Sequence, residues 1–280
     1  MECYFDNAAT TAVFPEVKEL MMTLLDVDYG NPSSQHKKGL TAKDYERTAT
    51  EQVAKTLKCM PKEIVFTSGG TEANNLALIG AALAHRRAGK HIITTPIEHA
   101  SVLSTVEFLQ KEGFEISFME VGSDGKEDLG SLSKLLRDDT ILVSCMYVNN
   151  EIGSIQPIEA LVKLVKAHNP QTLVHVDAVQ AYGKLKFTPK QLGVDLLSVS
   201  GHKIHGPKGT GFLYISEKMK IVPIIYGGGQ QKGMRSGTDN VPGIAGLGLA
   251  SKIVYDHLEE NVNHMYDLRA YFVGELEKMD

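Results

Sequence analysis

The sequence predicts an α/β fold, a mostly parallel sheet with helices on both faces. Three observations predict it. Short apolar runs alternate along the chain with longer segments of helical periodicity. The runs are almost wholly apolar rather than alternating in polarity, as strands buried on both faces should be. Glycine-rich and polar turns follow several of the runs, and ligands of parallel sheets collect outside the carboxyl ends of the strands.

Each element has its own signal. Residues 14–25 carry Val17, Leu20, Met21 and Leu24 at i, i+3, i+4 and i+7, an amphipathic helix. Asn31-Pro32-Ser33-Ser34 is a turn, and residues 40–57 read as a helix bounded by Pro61. Residues 64–66 form a short strand, followed by an Ala/Leu-rich helix over 71–88 that Gly89 stops. A strand over 91–95, a helix over 101–112, and strands over 116–121 and 141–147 come next. A helix over 157–168 precedes strands at 173–176, 195–199 and 211–215. Near the end Val262, Met265, Leu268, Phe272, Leu276 and Met279 recur at spacings of three and four, one apolar stripe on a last helix.

Composition narrows the function classes. The chain has 280 residues, 42% hydrophobic and 22% charged, which suffices for a sizeable core in one large domain or one and a half ordinary ones. A formal net charge of −5, with Lys and Arg spread along the chain, gives no strong field for nucleic acid or an anionic membrane. No apolar run approaches the ~20 residues of a membrane helix, and the first residues lack a basic-then-apolar leader pattern. Cys3, Cys59 and Cys145 are widely spaced, odd in number and outside any C-x-x-C pair. That pattern fits free thiols in a reducing compartment, so a cytoplasmic, soluble protein is expected.

Four strand ends carry chemistry. Thr67-Ser68-Gly69-Gly70-Thr71-Glu72 joins a strand to a helix; its glycines and the helix N-terminus suit a phosphate, although alone it could be a structural turn. It is not a Walker A loop, because no Gly-Lys-Ser/Thr follows. Glu98-His99 lies past the second strand, where a lone histidine is commonly structural. Asp177 closes the apolar strand of residues 173–176, where a carboxylate needs solvent, a capping role or a partner, and Gln180 is three residues on. Lys203 stands in Ser200-Gly201-His202-Lys203, a small-residue loop after a buried strand. His202 and His205 lack a third ligand nearby, so no metal site is expected. A phosphate cradle, a strand-end acid and a strand-end lysine together are what pyridoxal 5'-phosphate requires. The lysine bonds its aldehyde as an imine, the acid holds the ring nitrogen protonated, and the cradle takes the phosphate.

At this point a resemblance becomes specific. SGHKIHGPKG resembles the lysine-bearing motif of the cysteine desulfurase (class V aminotransferase) family. FTSGGTEANN, HIITTPIEH, YVNNEIG, HVDAVQ and GGGQQKGMRSGT are similar to further family blocks in the same order, as are YFDNAATT and GNPSSQH. The resemblance covers essentially the whole chain. It implies the large domain of a fold type I pyridoxal-phosphate transferase over residues 14–255, with residues 1–13 and 256–280 as pieces of an incomplete small domain. It implies that Lys203 binds the cofactor and acts as proton-transfer base, and that His99 stacks on the ring and assists. Asp177 would pair with the ring nitrogen and Gln180 with the ring oxygen. Gly70, Thr71, Ser200 and His202 would hold the phosphate, Asn150 would contact cofactor or substrate, and Thr238 would reach the phosphate of a neighbouring subunit in a homodimer. His205 departs from the tyrosine common in the family, a change expected to be tolerated.

The implied reaction takes L-cysteine to L-alanine and passes sulfur to an enzyme thiol as a persulfide, for iron–sulfur cluster assembly or thiolation, with a sulfur-acceptor or scaffold protein as partner. None of the three cysteines matches the family's sulfur-accepting position; Cys59 and Cys145 read as packing residues. That position and the carboxylate-binding arginine would lie past Asp280, so this chain alone is expected not to complete sulfur transfer. The last helix is expected to leave its stripe bare. Two other readings stay open: a non-catalytic cofactor-binding or interaction protein, and another class V reaction such as selenocysteine lysis or transamination.

Overall fold

Chain-local signals account for most helix boundaries in the computed structural model, which describes residues 3–279. The outermost residues assigned above to the terminal pieces (1, 2 and 280) lie outside the described residues. Helix α1 (Pro15–Asp26) places a proline in its first turn, where no intrahelical N–H is needed. Helix α2 (Lys37–Leu57) starts with the His36 side chain accepting from the Gly39 N–H and ends at Lys58 in the left-handed conformation, φ 50°. There follow β1 (Ile64–Thr67), α3 (Gly70–His85), β2 (His91–Thr94), α4 (Ala100–Lys111), β3 (Glu115–Phe118), α5 (Leu129–Leu135) and β4 (Thr140–Met146). The second half supplies α6 (Ile158–His168), β5 (Leu173–Asp177), α7 (Pro189–Leu192), β6 (Leu196–Ser200), β7 (Gly211–Ile215), α8 (Val241–Asp256) and α9 (Leu258–Leu276).

The strands form one seven-stranded sheet in the order β1-β7-β6-β5-β4-β2-β3. β2, β3, β4, β5 and β6 pair parallel. β7 lies antiparallel to both β1 and β6, so β1 runs the same way as β6. All six parallel strands therefore deliver their carboxyl ends to one edge. Alternate residues feed two cores. Val65, Ile92, Leu142, Leu173, Leu196 and Leu213 pack with α3 and α4. Phe66, Ile93, Val143, Val174, Leu197 and Phe212 pack with α2, α6 and α8. The expected α/β class and covered faces are present.

The sequence reading lacked α5, α7 and α8, and it misplaced some element ends. The strand read over 116–121 stops at Phe118, and Val121 keeps only a bridge to Glu127. The helix read over 71–88 ends at His85. Two buried histidines cross-link the sheet. His91 bonds Thr140 Oγ1 (2.7 Å) on β4 and Ser117 Oγ (2.9 Å) on β3. His175 bonds Ser144 Oγ (2.8 Å) on β4 and Ser198 Oγ (2.9 Å) on β6. Helix α9 contributes no buried residue; Met265, Leu268, Phe272 and Leu276 of its apolar stripe are exposed, and Met279, expected on the same stripe, lies exposed past the helix end.

Candidate active site

The shared carboxyl edge of β1, β2, β4, β5 and β6 opens into a cleft of about 690 Å³. It is lined by Gly70, Thr71, His99, Asn150, Asp177, Gln180, Ser200, His202 and Lys203, so nine of the ten residues expected from the sequence meet there. Thr238 does not line this cleft; it is exposed on the loop before α8. That loop is tied down by Gln231, which donates to Glu46 Oε1 (2.7 Å) and Asp239 Oδ1 (2.9 Å), and by Arg235, paired with Glu72 at 2.9 Å.

The phosphate end is built by close approach. Gly69 sits at φ 150°, and Gly70 opens α3 so near the neighbouring loops that a Cβ would fall 2.8 Å from Val179 Cγ2 and 3.4 Å from Ser200 Cβ. Free N–H groups of the first helical turn face this point with the dipole of a 16-residue helix behind them. His202 flanks it, bonded to Thr10 Oγ1 at 3.1 Å; burial first, then Lys203, Lys208 and Lys184, depress its pKa.

Asp177 is 5% exposed at the end of β5. Its Oδ1 accepts from the Val179 N–H (2.9 Å) and its Oδ2 from Asn74 Nδ2 (2.8 Å). Burial pushes its pKa up, partly offset by Val179, Asn74, His99 and Lys203. A buried carboxylate with two donors and no bonded cation suits a cationic ring nitrogen. Lys203 ends a short 3₁₀ turn after β6, and its Nζ donates to the carbonyls of Ala8 and, at 2.8 Å, Ala9. Burial lowers its pKa, while Asp6 and Asp177 pull the other way. Gln180 Nε2 also reaches Ala8 O, at 3.0 Å. The segment over residues 8–14 is thus stitched to the lysine turn, with Thr11 N–H bonded to His202 O and Thr11 Oγ1 accepting from the His205 N–H. His205 stacks on Phe14 with ring centroids 4.4 Å apart, keeping an aromatic face at this position.

Sequence reasoning gave no role to three groups. Glu98 is buried, accepting from Thr95 Oγ1 (2.9 Å) and the Met146 N–H (2.8 Å), which ties the ends of β2 and β4 together beside His99. Asn74, 1% exposed, reaches Asp177 from α3, and Ser101 bonds His99 Nδ1 at 2.8 Å. A polar side chain on the buried face of an otherwise apolar helix was the available signal for Asn74. Cys145 is fully buried and Cys59 half-buried, neither lining the cleft; burial first, then Glu63, pushes the Cys59 thiol up to about 12. Among the described residues no group of three or more His, Cys, Asp or Glu could hold a metal, and no helix is long and apolar enough to cross a membrane.

This arrangement fits pyridoxal phosphate at three points: a glycine cradle with no room for a Cβ, a buried acid lacking a cation, and a lysine with depressed basicity lining the same cleft. The comparisons agree. The family model of class-V aminotransferases matches residues 3–280. Cysteine desulfurase IscS of Dictyoglomus turgidum is 46% identical, with 99% of this chain aligned to 70% of that protein. Putative cysteine desulfurase IscS 1 of Bacillus subtilis is 45% identical over 98% of this chain and 72% of its own length. A solved NifS-like protein superposes with a TM-score of 0.97 at 47% identity, covering 99% of this chain and 76% of that one. SspA in complex with cysteine gives 0.86 at 39% identity, over 90% and 72%. The chain belongs to the class-V aminotransferase family and is an enzyme of its pyridoxal-phosphate-dependent kind.

Proposed function

We propose that the chain performs cysteine desulfuration when an accepting thiol is supplied to it: L-cysteine and that thiol give L-alanine and the corresponding persulfide, while sulfur transfer by the chain without an added thiol is not expected. The carrying observation is the placement of Lys203 and Asp177 at the ends of adjacent strands, lining one cleft with His99. Pyridoxal phosphate, when bound, supplies an electron-withdrawing ring that stabilises the carbanion left at the substrate α-carbon. Gly70, Thr71, Ser200 and His202 would hold its phosphate, Gln180 its ring oxygen and Asp177 its ring nitrogen. Asn150 would contact cofactor or substrate. The Lys203 amine, its pKa lowered by burial, reaches the neutral, proton-accepting form more readily than a solvated lysine and takes the α-proton. His99, which lines the same cleft, assists proton transfer.

The sulfur acceptor in this reading is a thiol other than Cys59 or Cys145, because a thiolate is the reacting form and burial keeps both protonated. Thr238, held on a braced loop outside its own cleft, supports a homodimer in which it completes the partner's phosphate site. Helix α9, with no buried residue, supports a smaller unit including residues 256–280. Free cysteines support a reducing, cytoplasmic setting, with a sulfur-acceptor or scaffold protein as partner.

The test is borohydride reduction of the cofactor-loaded chain followed by peptide mapping, together with an assay of alanine and persulfide from L-cysteine and added thiol. Label on Lys203 and alanine formation are expected. Label on another lysine, or undiminished cofactor absorbance in Lys203→Ala, overturns the assignment.

A further inference from the structure

A directional hydrogen-bond chain runs beneath the cleft. An ionised carboxylate only accepts, and Asp177 accepts from the Val179 N–H and from Asn74 Nδ2 (2.8 Å). The same Asn74 nitrogen lies 2.9 Å from Ser101 Oγ. Both amide hydrogens of Asn74 are therefore used, one in each direction. Turning the amide over would set its oxygen against the carboxylate. The cost of the observed orientation is visible: Asn74 Oδ1 is buried without a partner.

The Ser101 hydroxyl, having accepted from Asn74, has its single proton left to give. His99 Nδ1 lies 2.8 Å from Ser101 Oγ and 3.1 Å from the Ser101 backbone N–H, which can only donate. Two donors thus converge on Nδ1, and a neutral imidazole so placed carries its hydrogen on Nε2. Ser101 is itself held, because Thr105 Oγ1 donates to its carbonyl at 2.7 Å.

We infer that Asn74 and Ser101 are positioning residues that fix the tautomer of His99, relaying the negative charge of Asp177 so that Nε2 bears the proton. His99 then presents a donor to the cleft, leaving proton acceptance to Lys203. This consequence rests on the proposed roles of Asp177, His99 and Lys203; the tautomer itself does not need the cofactor.

The experiment labels the histidines of the full chain with ¹⁵N and reads ring tautomers from long-range ¹H–¹⁵N correlations, with His99→Gln assigning the His99 signals. The wild-type chain without cofactor is expected to show Nδ1 bare and Nε2 protonated. Ser101→Ala keeps the backbone donor but loses the hydroxyl, so the share of the Nδ1–H form should rise about three- to tenfold, the worth of one hydrogen bond. Asn74→Leu should produce a shift in the same direction, and the double variant little more than Ser101→Ala, because one chain is broken in either case. Ser101→Thr, which keeps the hydroxyl, should restore the wild-type ratio. Thermal midpoints establish that the variants are folded. A wild-type His99 protonated on Nδ1 overturns the inference, even if other variants misfold. So does a ratio unmoved in folded Ser101→Ala and Asn74→Leu. Failure of cofactor trapping on Lys203 with the expected tautomer would instead strike the proposed function.

Discussion

Glu127 gives the sharpest stability prediction. Its side chain is 5% exposed, and neither carboxyl oxygen has a conventional hydrogen-bond partner. Burial raises its pKa from 4.5 to about 8, with the Cys145 thiol alongside slightly opposing the rise. The folded chain therefore holds a proton there that the unfolded chain releases above about pH 4.5. Stability from this group is fully present below that pH and is lost as pH rises through about 8. A change from 4.5 to about 8, at about 1.4 kcal/mol per pH unit, is worth roughly 5 kcal/mol as an upper bound. Glu98 is also raised, by burial and then by Asp177 and Glu127, so the wild-type slope carries both groups. Glu127→Gln isolates one, since the amide copies the protonated acid. Thermal unfolding of both chains from pH 5 to pH 9 is the assay. The curves should nearly coincide at pH 5 and separate with rising pH. At pH 9 the variant should melt more than about 5 °C higher, at ~2–4 °C per kcal/mol for a chain approaching this size. Parallel curves across the range would refute the reasoning.

Other perturbations address the cleft. Gly70→Ala should cost about 1–3 kcal/mol through overpacking against Val179 and weaken cofactor retention; Val179→Ala in the same chain should recover much of the melting temperature, and a neutral Gly70→Ala would count against the close-approach account. Asp177→Asn should slow exchange of the substrate α-proton by about 10²-fold or more, measured by deuterium incorporation, because the charge facing the ring nitrogen is lost. Sedimentation should find a dimer, and Thr238→Ala should release cofactor faster in gel filtration; a monomer that retains cofactor normally would remove the shared-site reading.

The sequence carried the architecture unevenly. Runs such as Leu173 to Asp177 are unmistakable because both faces are covered, and each of these five residues is buried. β3 was overextended because it is the edge strand, where the burial that disciplines an apolar run is partial. The reversal of β7 was not legible: an apolar run does not encode direction, and only the partners on both sides reveal it. Helix α8 buries ten residues over several faces, so it lacks the one-sided stripe that announces a surface helix. In the site, Gly70, Thr71 and Lys203 were legible from a glycine-rich strand-end loop and Asp177 from closing an apolar run, whereas the roles of His99, Asn150, Gln180, Ser200, His202 and Thr238 came from the resemblance to family blocks. The roles of Asn74 and Ser101 were not legible, since they come from meeting residues 103 and 27 positions apart in sequence. The polar Asn74 on an otherwise apolar helix face could mark the residue, but no local pattern names the partners it meets.

The two cross-linking histidines bear on how the sheet assembles as well as on what it is worth. A one-residue slide of β5 would turn His175 to the opposite face, away from Ser144 and Ser198. A two-residue slide would keep the face but carry the ring roughly 7 Å along the strand, out of reach of both hydroxyls. Either error strands an imidazole and two hydroxyls in the dry interior, at about 1–3 kcal/mol for each unpaired group. His91 imposes the same condition on β2 between β3 and β4. Parallel strands joined by long crossovers find one another slowly and have many near-miss alignments to sample. Histidines in the middle of the sheet act as checkpoints during that search, making the wrong alignments short-lived before the helices close over them.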